Sequence, residues 1–204
     1  MWRFTLVFAF LLTANACFAG ADSSRIAREV PWPAAYQGVS IALSAADVSI
    51  SIPNDIVKLT YDEMGILIQF SDRSFLGINI IDEDFYRTDF FPDGIRNSEM
   101  SVSFVGKIPF LYDRAPSEVK EGDANYDIWR YGIAQRSSIY KENNPVNKTT
   151  LQSMDVFYYQ PSAGRAHMIA QIHSQNADRY LMLTASGMNE EKFTQLLGTL
   201  KSLD

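Results

Sequence analysis

Val48, Ile50 and Ile52 alternate with Ser49 and Ser51, and a period of two marks a strand with one face buried. The alternation begins near Gly38 and ends at Pro53-Asn54-Asp55. Three more short apolar runs follow, Ile56–Tyr61, Ile66–Phe70 and Phe75–Ile81, separated by Asp62-Glu63-Met64-Gly65 and Asp72-Arg73-Ser74. Both separators are rich in turn-forming residues, so these runs predict an antiparallel meander. The last third repeats the pattern: Asp155–Gln160, Arg165–Ser174 and Arg179–Thr184 read as strands, with turns at 161–164 and 175–178. After Ser186-Gly187 the period becomes helical. Asn189 suits an N-cap, Glu190 and Glu191 fall in the first turn where the helix dipole favours acids, and Phe193, Leu196, Leu197 and Leu200 make one apolar stripe. Lys201 falls where the C-terminal end of that helix would favour a cation.

The middle of the chain carries a weaker periodicity. Met100, Phe104, Ile108 and Leu111 have helical spacing interrupted by Gly106 and Pro109, which predicts a helix near 97–106. Ile128, Tyr131 and Ala134 share a face of a second short helix, near 127–136. Residues 22–36 are polar, contain Pro31 and Pro33, and read as an extended lead-in with Trp32 as its anchor. The sum is an α+β fold: one domain over 37–204, an antiparallel β-sheet with flanking helices and a C-terminal helix packed on the sheet.

Residues 1–21 follow a different logic. Arg3 precedes an apolar run from Phe4 to Leu12, and small residues follow, which is the layout of a secretory signal peptide. The run is too short for a membrane-spanning helix, which needs roughly 20 apolar residues. Cleavage after Ala19 or Ala21 is expected, since Asp22-Ser23-Ser24 opens a polar stretch. Lipid attachment at Cys17 is the less favoured route, because Ala14-Asn15-Ala16 fits a lipobox poorly. Removing 1–21 leaves 183 of the 204 residues, one ordinary domain, and takes the formal charge from −6 to −7. An acidic chain with no Lys/Arg cluster is badly suited to a nucleic-acid backbone or an anionic lipid surface. Cys17 is the single cysteine. A cysteine-free mature domain of this size fits the bacterial periplasm better than a eukaryotic exterior, where small secreted domains lean on disulfides. In that setting Asn147-Lys148-Thr149, formally a glycosylation acceptor, is a chance match.

The string VSISIPND, the turn-linked strands after it, and the late segment AHMIAQIHS…RYLMLTASGMNEEKFTQLLGTLKSL together resemble the Mog1/PsbP-like architecture, which includes the bacterial DcrB-like periplasmic proteins. The resemblance covers the two ends of the mature chain and not its middle. It implies an antiparallel sheet flanked by helices, and a role in binding or assembly rather than catalysis. It carries over no functional residue, because no site motif matches.

The chain contains no G-x-S-x-G, no Walker or dinucleotide-binding glycine motif and no H-E-x-x-H. His167 and His173 are its only histidines; six residues apart on one strand, they sit about 20 Å from each other and cannot share an ion. With Arg165 and Gln171 they outline a polar sheet face that could serve as a binding surface, while Met168, Ala170 and Ile172 point to the core. Neither metal nor cofactor is expected. The segment 82–93 concentrates Asp82, Asp84, Asp89 and Asp93 beside Phe85, Tyr86, Phe90 and Phe91. A carboxylate pair there could in principle serve glycoside chemistry, but the composition fits a partner-docking loop with aromatic anchors better. These features predict a non-enzymatic periplasmic protein-interaction module, concretely an immunity-type inhibitor of an envelope-directed toxin. A small-ligand or lipid carrier is the alternative, and an enzyme using the acidic loop a third.

Overall fold

The computed structural model describes residues 27–62, 65–82, 112–113, 120–122, 145–160, 167–174 and 177–203. Strand accounts for 56% of these residues, and their one helix lies near the C-terminus, so the described chain is mostly β. The strands are β1 (Arg28–Glu29), β2 (Ser40–Ala45), β3 (Val48–Pro53), β4 (Ile56–Asp62), β5 (Gly65–Phe70), β6 (Phe75–Ile81), β7 (Asn147–Leu151), β8 (Met154–Tyr159), β9 (His167–Ser174), β10 (Tyr180–Ser186) and β11 (Lys201–Ser202), and the helix α1 is Glu190–Leu197.

Eight strands form one sheet in the order β1-β7-β8-β9-β10-β6-β5-β4, and three form a second in the order β11-β3-β2. Every pairing is antiparallel except that of β1 with β7, which is parallel, so the large sheet is mixed where an antiparallel one was expected. The meander β4-β5-β6 matches its predicted segments, as do β8, β9 and β10 apart from their ends. The helices expected near 97–106 and 127–136 lie outside the described residues.

The small sheet and α1 pack on one face of the large sheet. Ile50 and Ile52 of β3, Phe70 of β5, Val156 of β8, Leu183 of β10 and Phe193 of α1 belong to one buried cluster there. The helical stripe closes this core, and each of Phe193, Leu196 and Leu197, buried in α1, is worth about 1.5–3 kcal/mol relative to exposure. The helix starts as the sequence indicates, with Asn189 Oδ1 accepting from the Lys192 N–H at 2.7 Å. Its end differs. Gly198 and Thr199 turn the chain out of the helix, and Lys201 enters β11 to pair with Ser49 instead of capping the helix.

Two side chains tie these layers together. Trp32 is packed against the main core, and its indole N–H donates to the Gly198 carbonyl at 3.3 Å, which realises the anchoring expected of the lead-in. Lys192 reaches from α1 to the β5–β6 turn, 2.8 Å from Asp72 Oδ2, with its ammonium 4.4 Å from the Phe70 ring centroid. That bond, and then the bonds from Ser74, hold the Asp72 carboxyl at about 2.

Candidate functional site

The far face of the large sheet carries its own chemistry. On β8, Asp155 and Phe157 point away from the main core; on β9, Ile169, Gln171 and His173 do the same, with Asp155 paired across to His173 and Phe157 to Gln171. Phe157, Tyr159 and Ile169 join Ala27, Tyr112 and Val146 in a second buried cluster on this side. Lys148 enters it from β7, directly opposite Phe157. Its Nζ donates to Asp113 Oδ2 at 2.6 Å, stands 3.6 Å from Glu29 Oε1 and 4.0 Å from Asp155 Oδ1, and lies 5.6 Å from the Phe157 ring centroid. Asp155 Oδ1 also accepts from Thr150 Oγ1 at 2.6 Å. One cation therefore links β1, β7, β8 and residues 112–113.

Burial and charge compete within this cluster. Burial acts to lower the Lys148 pKa, but the Asp113 hydrogen bond and the field of three carboxylates outweigh it, and the net shift is upward. For Asp113 burial is the larger effect and pushes the carboxyl up against the pull of Lys148. Burial lowers the pKa of His173, against the opposing charge of Asp155. The arrangement holds Lys148 as a cation and His173 as a neutral imidazole at pH 7. A lysine whose proton is held this firmly is a poor base, and a histidine 2% exposed is out of reach of a substrate in solution. The cluster is suited to clamping elements together.

A second feature lies at the edge of the large sheet. β4 is its last strand, bonded to β5 on one side only. Val57, Leu59 and Tyr61 are 61, 54 and 76% exposed, and Lys58 and Thr60 between them are exposed as well. Among the described residues no strand pairs with its outward backbone N–H and C=O groups, which is the template an added strand requires. The opposite edge differs: β1 has two residues, and Pro31 and Pro33, which lack an N–H, follow it closely. In the small sheet the edge strand β2 also exposes an apolar side chain, Ile41.

Of the sequence-predicted site, Asp82 is exposed immediately after β6. Asp84, Phe85, Tyr86, Asp89, Phe90, Phe91 and Asp93 lie outside the described residues, as does Arg165. His167, Gln171 and His173 do share one face of β9, but not as an open polar surface: Gln171 is 7% and His173 2% exposed. The reason is that this face supports the second core, so the sheet centre is covered on both sides. Asn147 is likewise buried, with its Oδ1 accepting from Arg28 at 2.8 and 3.2 Å, and is no surface acceptor for a glycan. Sequence reading gave Lys148, Asp113 and Thr150 no role in a site, because Asp113 lies 35 residues before Lys148 and none of them belongs to a catalytic or binding motif. It also passed over β4 as a surface, although the run Ile56–Tyr61 was legible as a strand. Among the described residues no group of acidic, histidine or cysteine side chains could hold a metal ion, and no helix is long and apolar enough to cross a membrane.

No protein-family model matches the chain, and a search of curated proteins finds no significant relative.

Proposed function

We propose that this chain is an exported protein-interaction module of the bacterial cell envelope, and that it docks a strand of another polypeptide along β4. The observation that carries the proposal is the open edge itself: a seven-residue strand that, among the described residues, pairs with β5 alone and exposes Val57, Leu59 and Tyr61. Soluble proteins commonly blunt such an edge with short strands, prolines, several charges or a covering loop. β4 has one lysine and no proline, and although its register with β5 shifts between Ile56 and Lys58, its pairing is regular from Lys58 to Asp62. Main-chain hydrogen bonds would supply affinity to an added strand, and the exposed apolar side chains would select its residues. Export follows from the charged, apolar and small-residue order of residues 1–21. The PsbP-like resemblance, with its bias toward binding and assembly, agrees with this role. The acidic, aromatic segment 82–93 would present a second surface, and an envelope-directed toxin is the partner its composition suits.

A photocrosslinking amino acid at Tyr61, introduced into the protein as secreted by its own cells, tests the proposal. We expect a discrete protein adduct at Tyr61 that is absent when the crosslinker replaces the exposed Lys201, and that disappears with Leu59→Pro, which removes an N–H on the open side of β4. Equal labelling from both positions, or no protein adduct from Tyr61, refutes it.

A further inference from the structure

The β4 edge has a property that narrows its partner. An antiparallel strand can pair with a copy of itself about a two-fold axis, and the axis may pass through any residue. Placed on Thr60, it sets Thr60 against Thr60, Leu59 of each copy against Tyr61 of the other, and Lys58 at the register position of Asp62 of the other. Each of these is a favourable cross-strand combination: a hydroxyl pair, an aliphatic–aromatic pair made twice, and an opposite-charge pair made twice. No like charges face each other. The side chains at 58, 59, 60 and 61 are all exposed in the single chain, so nothing within the protein need move before they meet. The sheet also limits the assembly. Its other edge ends in a two-residue strand followed by Pro31 and Pro33, so two-fold pairing at β4 consumes the one long edge of the large sheet and closes. A head-to-tail array would need both edges, and β1 cannot serve.

We infer that the strand taken up along β4 is β4 of a second copy, which joins two eight-stranded sheets into one continuous sheet about a two-fold axis at Thr60. The inference rests on the reading of β4 as a docking edge and names the partner at that edge.

Sedimentation velocity on the purified secreted protein over a range of concentrations provides the test. We expect reversible dimerisation, abolished by Leu59→Pro, which removes an N–H on the open side of β4 and spares the bonds of Thr60 to β5, with the monomeric variant still folded by circular dichroism. Lys58→Glu sets acid against acid twice and should raise the dimer dissociation constant about tenfold or more. Adding Asp62→Lys to it should restore the original value, which only this register accounts for. In a Cys17→Ser background, Thr60→Cys should oxidise to a disulfide-linked dimer, because non-hydrogen-bonded partners across an antiparallel pair stand about 4.5 Å apart at Cα. Lys58→Cys, whose symmetry mate lies four register steps away, should not. A monomer at every concentration overturns the inference, and so does a dimer indifferent to Leu59→Pro. If the protein is monomeric while Tyr61 crosslinks a different protein, the docking edge stands and its self-pairing falls. If it is monomeric and Tyr61 crosslinks nothing, both fall.

Discussion

Replacing Lys148 with Met should be the most costly single change on the far face of the large sheet. The side chain is 16% exposed and neutralises Asp113 (26%), Asp155 (6%) and, more loosely, Glu29 (71%). Methionine keeps most of the stem that packs on Phe157 and removes the charge. Breaking a buried pair from one side typically costs about 3–5 kcal/mol, because the remaining charge has no partner. Three features reduce that figure here. Glu29 is open to water and contributes little, Asp113 is partly solvated, and Asp155 keeps the hydrogen bond from Thr150. The expected loss is therefore about 2–4 kcal/mol, or a fall in melting temperature of roughly 5–15 °C for a domain of this size. Urea unfolding followed by circular dichroism measures it, with an unchanged slope showing that the midpoint shift reports stability. Asp113→Asn in the same chain should recover about half of the loss, since it removes one of the two stranded carboxylates. A loss under about 1 kcal/mol, or strict additivity of the two changes, would show that Lys148 is a solvated surface charge and that the clamp does not exist.

Other consequences are open to direct measurement. His173 is held below the ordinary imidazole value of 6.5 by burial, so the unfolded chain binds its proton more readily than the folded one; the stability this represents is intact above pH 6.5 and is lost as pH falls toward the folded value. The urea midpoint should accordingly drop between about pH 7 and pH 5, and His173→Gln should flatten that slope. Asn189→Ala removes the side-chain bond to the Lys192 N–H and should cost about 1 kcal/mol by thermal melting. At Gly198 an added Cβ would meet the Ala34 carbonyl oxygen at 2.5 Å and that of Pro33 at 2.6 Å. Both are backbone atoms, so Gly198→Ala should displace the lead-in, shift the Trp32 fluorescence and destabilise by about 1–3 kcal/mol.

The elements visible in the sequence are those whose evidence is local. β3, β5 and β6 alternate between turn residues, and α1 has its cap, its acids and its stripe within a dozen positions. β1 and β11 have two residues each, and a strand that short exists only because a partner waits for it. β7 reads Asn-Lys-Thr-Thr-Leu and has no apolar face to notice; it lies within the sheet because Arg28 and Asp113, from remote parts of the chain, and Asp155, across the turn to β8, bond to Asn147, Lys148 and Thr150. The face of β9 shows the same limit. Alternation separated His167, Gln171 and His173 from Met168, Ala170 and Ile172 correctly, yet a period of two says only that two faces differ, not that one is wet. The candidate docking edge is likewise a matter of order in the sheet. Ile56–Tyr61 reads as any half-buried strand would, and only the placement of β4 last in the sheet exposes it.

The position of β1 has a bearing on how this protein would stand in its surroundings. The chain reaches Arg28 from residues 1–27 and enters the large sheet at one margin, while β4 forms the other. Seven strand spacings separate them, about 34 Å along the sheet. Any load applied at Arg28 would thus pull on the margin farthest from β4. Such a load would reach β4 only after crossing every strand pairing of the large sheet, so the edge offered for pairing is the part of it best insulated from Arg28.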